Sequence, residues 1–325
     1  MSIEVTKQIN PMVIEAAQKT AVYTDRSDLG TLKITGATRL DLLNRMSTQK
    51  LVDLPSGSGA ATVLTTDIGR IIDRLLLYAS SDTVYALTGE NNAEAIARYL
   101  MRFVFFNDDF HIQDISPETA VFGIYGPQAA HILGEELGFP EVDIPLHHWR
   151  EAEIGGTTAY LHHTDPINGA GYFVMCETVV RDTLAQQLQA SSLTHADQAA
   201  FDYLRITAGL PRFGHELTQE YIPLEANLWD DVSFNKGCYI GQEIIARMES
   251  RGKLAKQLTK LRLSAPVDAE ATLTAAGKKA GTLTSVAVGP EDVVGLGYVK
   301  TAVLDASTEL YTGDVLVRSV HPPSS

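Results

Sequence analysis

The texture of the chain changes at Arg251-Gly252-Lys253, and that change constrains the fold more than any other feature. From about residue 254 to 320 the sequence becomes a series of short apolar runs spaced by Pro266, Gly277, Gly281, Gly289-Pro290, Gly295, Gly297 and Gly313. Runs of that length, punctuated by residues that break helices and close turns, predict the short strands of a small all-β barrel or sandwich.

Upstream the pattern is mixed. Gly30 to Thr35 predicts a strand, followed by Gly36 and a helix over Ala37 to Met46 with Leu40, Leu42, Leu43 and Met46 on its buried face. Ala60 to Thr65 and Ile71 to Ala79 read as strands around an Asp67-Ile68-Gly69 turn. Asn92 to Arg102 reads as a helix, and Phe103 to Ile112 and Ala120 to Tyr125 as strands. Gly126-Pro127 breaks the chain before a helix over Gln128 to Leu137. Thr157 to His162 and Tyr172 to Cys176 follow as strands, Val179 to Leu188 and Ala196 to Thr207 as helices, and Gly209 to Gly214 as a loop. Hairpin-like strand pairs without strict strand–helix–strand alternation define an α+β class. At 325 residues, two or three domains are expected.

The net charge of -14, with no dense run of lysine and arginine, repels phosphate backbones and anionic bilayers. Neither nucleic acid nor membrane is therefore expected as a direct partner. Cys176 and Cys238 are the only cysteines, too few for a disulfide framework and suited to a reducing compartment. No apolar run approaches the ~20 residues that cross a bilayer, and residues 1–20 lack the apolar region of a secretory signal. The expected address is cytoplasmic.

Several catalytic patterns fail. Gly57-Ser58-Gly59 lacks the flanking glycine of a nucleophile elbow. Gly295-Leu296-Gly297 runs into Tyr298-Val299-Lys300 and completes no dinucleotide fingerprint. The pairs His147-His148 and His162-His163 point apart on a strand, so no metal site is expected from them. Cys176 lies in the apolar run Tyr172 to Cys176 and reads as a buried, inert thiol.

Chemistry is concentrated instead in Lys236-Gly237-Cys238-Tyr239-Ile240-Gly241-Gln242-Glu243. A lysine and a helix start beside Cys238 would both favour the thiolate. The same run reads equally as a tight turn shaped by Gly237 and Gly241, with Cys238 filling a small hole. This octapeptide resembles the signature of the YgfZ-type folate-binding proteins, relatives of the T-protein, the aminomethyltransferase of glycine cleavage. Arg205 to Pro211, Gly214 to Leu217, Ile222 to Ala226 and Gly126-Pro127 resemble the pattern shared by that superfamily, and Phe103 to Phe106 the aromatic stretch of the YgfZ branch.

The resemblance implies a ring-like, three-domain molecule. Residues 1–250 would form two interlocked α+β lobes and 254–321 the barrel, around a central channel for tetrahydrofolate or a one-carbon derivative. It implies a role in assembly or repair of iron–sulfur proteins, and through them in tRNA modification, with iron–sulfur client or assembly proteins as partners. The implied site comprises Lys236, Gly237, Cys238, Tyr239, Gly241 and Gln242, with Arg205 and Glu225 as inter-lobe polar partners. Cys238 would be the reactive thiol at the channel. Lys236 would stabilise it or meet the glutamate tail of folate, and Tyr239 would stack on pterin or pack in the core.

Three departures from the T-protein stand beside the match. Its catalytic aspartate corresponds to Ala95, its pterin-holding glutamate to Phe173, and an arginine to Phe201. Loss of a positioned base argues against glycine-cleavage activity, so the expectation is an accessory protein. The alternative is a folate-dependent methyl- or aminomethyltransferase whose base has moved elsewhere.

Overall fold

The computed structural model describes residues 9–139, 142–154, 157–306 and 308–320, and the tail at 322–325 lies outside them. Two sheets share the first part of the chain. One is six-stranded, in the order Thr194–His195, Val22–Asp25, Thr119–Tyr125, Ala170–Glu177, Thr157–Ile167, Trp149–Ile154. Only its outermost pair, Thr194–His195 with Val22–Asp25, is parallel. The other is five-stranded and antiparallel, in the order Gly59–Thr65, Ile71–Ala79, Thr83–Glu90, Leu29–Thr35, His111–Asp114. The chain leaves the first sheet after Asp25, builds the whole second sheet, and returns at Thr119, so the two lobes interlock.

Strands from Lys256 to Val320 form a closed six-stranded barrel, Val315–Val320 pairing back on Lys256–Leu263. Closure leaves no unpaired sheet edge. The fold is therefore α+β with a terminal β-barrel. Among the described residues no helix is long and apolar enough to cross a membrane.

Local chemistry explains the elements that frame the centre. The strand Ile71–Ala79 alternates buried and half-buried residues at its start and is buried throughout its second half. Alternation marks the end with one open face, and the continuous run marks the end covered on both. The helix Gln198–Ala208 starts where Asp197 accepts the Ala200 amide (3.1 Å) and ends at Gly209, which adopts a left-handed φ of 87°. That helix packs on both the first sheet and the barrel. One core runs through all three units, joining Tyr125 and Phe173, Val63 and Tyr78, and Leu296 and Tyr298.

The aromatic stretch expected as a strand from Phe103 is mostly loop, with only His111–Asp114 paired. Asp108 accepts the Phe105 amide (2.8 Å) and the Arg45 guanidinium (2.8 Å), and closes the turn locally. Phe105 and Phe106 stand in solvent at 60% and 104% exposure. Conversely, Thr83–Glu90 is a full strand although its Thr-Gly-Glu end carries no strand signal.

Candidate functional site

The octapeptide forms a loop leading into the helix Gln242–Arg251. Gly241 has φ 87°, and a Cβ there would lie 2.6 Å from the Thr66 carbonyl oxygen, so only glycine fits. Lys236 Nζ donates to the carbonyl oxygens of Asn44 (2.6 Å), Ser47 (2.7 Å) and Gln49 (2.7 Å). These lie at the C-terminal end of the helix Arg39–Met46, where orphan carbonyls and the dipole favour a cation. Burial pushes the Lys236 pKa down to about 8. All three ammonium protons are committed, so Lys236 has none left for a thiolate or a folate tail. Lys236 pins the loop. Lys236→Met should cost about 2–3 kcal/mol in urea unfolding, the scale of a lost charge-assisted hydrogen bond, without altering ligand affinity in the central cavity.

Tyr239 is buried with Ile222, Leu224, Val232 and Ile245, so it packs in a core. Cys238 is exposed and unpaired. It does not line the cavity described below; Lys236 and the Ile240 amide (3.3 Å to the Arg45 carbonyl) dock its loop on the end of the helix Arg39–Met46. Gly237 is likewise exposed, and Gln242 half-buried at the start of its helix. Glu225 is buried, accepts the Ile222 amide (3.2 Å) and has its pKa raised by burial; its carbonyl receives the Leu258 amide (2.8 Å) of the barrel.

The cavity lies between the two lobes, closed by the helix Gln198–Ala208 and the loop after it. Of the site residues expected from sequence, only Arg205 lines it. Arg205 reaches Asp202 (2.7 Å), Glu216 (3.2 Å) and, in the barrel, Ser285 (3.0 Å). Phe173, Phe201 and Tyr125 supply aromatic walls, with Tyr125 centred 6.5 Å from Phe173 and 5.7 Å from Phe201. The Arg26 guanidinium stands 4.5 Å above the Phe201 ring. Glu90 Oε1 accepts from both Arg26 (2.9 Å) and Arg212 (2.9 Å). The cavity is about 120 Å³. That is below the roughly 300–1,000 Å³ of most small-molecule pockets.

Asp73 is the candidate residue that sequence reasoning missed. It lines the cavity from the strand Ile71–Ala79 and is fully buried. Its Oδ2 accepts the Gly89 amide (2.9 Å) and Asn92 Nδ2 (2.8 Å); among the described residues its Oδ1 accepts only the Arg74 amide (2.8 Å), leaving acceptor capacity there. Burial raises its pKa to about 6 against the pull of these hydrogen bonds, with Glu90 adding repulsion. A carboxyl group poised near neutral pH in a cavity suits general-base work. Ala95 does not line this cavity; it lies on the helix Ala93–Met101, facing a neighbouring groove. A carboxylate does reach the cavity, from the strand Ile71–Ala79 instead of from that helix. The signal was an aspartate inside the apolar run Ile71-Ile72-Asp73-Arg74, just after a turn.

These features define a class: a barrel-capped α+β protein with a carboxylate-bearing cavity between interlocked lobes. The chain belongs to the GCVT family, whose GCVT N-terminal domain matches residues 11–236, and the CAF17 C-terminal beta-barrel domain matches residues 256–324. It is similar to a chloroplastic transferase candidate of Arabidopsis thaliana, 28% identical over 323 residues, covering 96% of this chain and 75% of that one. It is also similar to an aminomethyltransferase of Halalkalibacterium halodurans, 27% identical over 244 residues, covering 73% of this chain and 66% of that one. The match thus spans just under two thirds of the Halalkalibacterium protein. The crystal structure of the glycine cleavage system aminomethyltransferase T from Bartonella henselae superposes with a TM-score of 0.84 at 22% identity, over 98% of this chain and 90% of that one, and shows the same fold.

Proposed function

We propose that this chain binds tetrahydrofolate or a one-carbon derivative with the pterin in the central cavity, and that Asp73 is the general base at the reacting nitrogen. The observation carrying this reading is a carboxyl group with pKa about 6 in the wall of an aromatic cavity. The residues fit such a ring. Phe173, Phe201 and Tyr125 offer flat apolar faces, Thr88 and Thr164 offer hydroxyls, and Arg26 offers a guanidinium plane. When bound, the cofactor supplies a nitrogen that carries and releases a one-carbon unit.

Asp73 takes up or holds the proton at Oδ1, the less engaged oxygen. Asn92 and the Gly89 amide fix the carboxylate plane. Arg26 and Arg212 both engage Glu90 and hold its carboxylate at the cavity wall. Phe173 and Phe201, at positions where the T-protein pattern has polar residues, line the cavity with apolar rings. A base in place favours the transferase alternative over loss of chemistry. Purified protein with tetrahydrofolate and a one-carbon donor is expected to yield a one-carbon folate. Calorimetry showing no tetrahydrofolate binding at millimolar ligand rejects the reading.

The use we propose for this chemistry is assembly or repair of iron–sulfur proteins, and through it tRNA modification, in the reducing cytoplasm that two free cysteines suit. The octapeptide supports this, with Cys238 exposed on the surface where a client or assembly protein can reach it. Cys238→Ala is expected to fold and bind tetrahydrofolate as wild type while failing to rescue a deletion strain. Full rescue removes the thiol from the proposal.

A further inference from the structure

The seam between the two sheets holds a second hollow. On the second sheet Tyr85, Lys33 and Gln113 stand side by side in register, and on the first sheet Tyr160 pairs with Met175. All five line one crevice of about 540 Å³, within the roughly 300–1,000 Å³ of small-molecule pockets. Side chains alternate along a strand, so Tyr85 shares a face with Leu87, and Met175 with Phe173. Leu87 and Phe173 line the cavity, which places the crevice about 7 Å further along the same seam.

Two short turns, Ser116–Glu118 and Thr178–Val180, form the rim, tied where the Thr178 hydroxyl donates to the Pro117 carbonyl (3.2 Å). The Tyr85 and Tyr160 rings lie 5.5 Å apart, and Met175 is buried beside Tyr160. Lys33, Glu118 and Glu177 are the charged lining residues among those described. None of the three makes an ion pair among the described residues. Lys33 comes from the second sheet, Glu177 from the end of the first-sheet strand Ala170–Glu177, and Glu118 from the turn. Opposite charges thus border one hollow from different walls without neutralising each other. A ligand of one sign would answer only one wall, whereas a zwitterion answers both. The tyrosines and Met175 add a flat, polarisable surface that suits an aromatic ring.

We propose that this crevice is a second ligand site, for a zwitterionic amino acid with an aromatic side chain. Its carboxylate lies at Lys33, its ammonium at Glu118 and Glu177, and its ring against Tyr85, Tyr160 and Met175. The site is separate from the cavity and does not rest on the folate reading. Its residues come from both sheets, so an occupant touches both lobes at once.

The test is calorimetry with L-phenylalanine, with N-acetyl-L-phenylalanine, whose amine is blocked, and with L-phenylalaninamide, whose carboxylate is blocked. The proteins are wild type, Lys33→Glu and Glu118→Gln/Glu177→Gln. All three positions are exposed, and Lys33→Gln serves if charge reversal disturbs folding. L-phenylalanine should saturate wild type with a Kd of about 1 mM or below, and bind at least ~10-fold more tightly than either analogue, the worth of one charge-assisted contact. Lys33→Glu should abolish its advantage over the amide, and Glu118→Gln/Glu177→Gln its advantage over the N-acetyl compound. Saturating tetrahydrofolate should not displace it. No saturable binding of L-phenylalanine to wild type at about 10 mM, an advantage that survives either variant, or displacement by tetrahydrofolate overturns the crevice assignment and leaves the Asp73 reading standing.

Discussion

Asp73→Asn is expected to lower one-carbon transfer by about 10²–10⁴-fold, the usual worth of a positioned general base. Tetrahydrofolate affinity should stay within a few-fold of wild type, because the substitution keeps the shape of the cavity wall. The pH profile gives the sharper reading. The base acts as carboxylate, so kcat/KM should rise with pH through about 6 and level off above it. The variant should lose that limb. The stability effect has the opposite sign. A carboxyl group whose pKa is raised by burial favours folding when protonated, so its contribution falls as pH rises from about 4 to about 6. The amide that replaces the carboxyl does not ionise, so the variant should not lose stability at pH 7. An inactive variant that is also unfolded would not speak for the base. An active, folded one would remove it.

The second large effect is on the joint between the lobes. Arg74→Met should destabilise the fold by about 3–5 kcal/mol, as breaking one side of a buried ion pair does. Arg74 runs from the second sheet to Asp165 of the first (2.5 Å) and to Asp231 (2.6 Å), with Asp231 buried at 3% exposure. Removal strands two carboxylates. Burial opposes ionisation of Asp165, yet Arg74 holds its pKa below the ordinary 3.8. That contribution is therefore present above pH ~4 and lost as pH falls further. Urea unfolding at pH 7 measures the loss. Arg74→Met/Asp165→Asn/Asp231→Asn should recover much of it, because the stranded charges go too. A single variant as stable as wild type would show that the joint is held elsewhere.

The barrel was legible because short antiparallel strands need turn residues at fixed intervals, and glycine and proline mark them in the chain itself. The interlocking of the lobes was not. Val22–Asp25 pairs with Thr119–Tyr125 across the whole second sheet, and nothing local records that distance. The octapeptide shows the same limit at one side chain. Adjacency placed Lys236 beside Cys238, but its ammonium is claimed by Asn44, Ser47 and Gln49. A tertiary partner far along the chain outweighs a neighbour two residues away. Phe173 and Phe201, which the family resemblance matches to polar positions of the T-protein, both line the cavity. The resemblance pointed to Ala95 because a motif fixes a residue in sequence, not where side chains meet in space, and the cavity wall takes its carboxylate from elsewhere. Asp73 reaches it from the strand Ile71–Ala79.

A crystal soaked with tetrahydrofolate measures the central claim most directly. The pterin is expected in the cavity among Phe173, Phe201 and Tyr125, with a folate nitrogen within hydrogen-bonding distance of the Asp73 carboxylate. Ligand density elsewhere, at the Cys238 loop for instance, with the Asp73 cavity filled only by water, would contradict it.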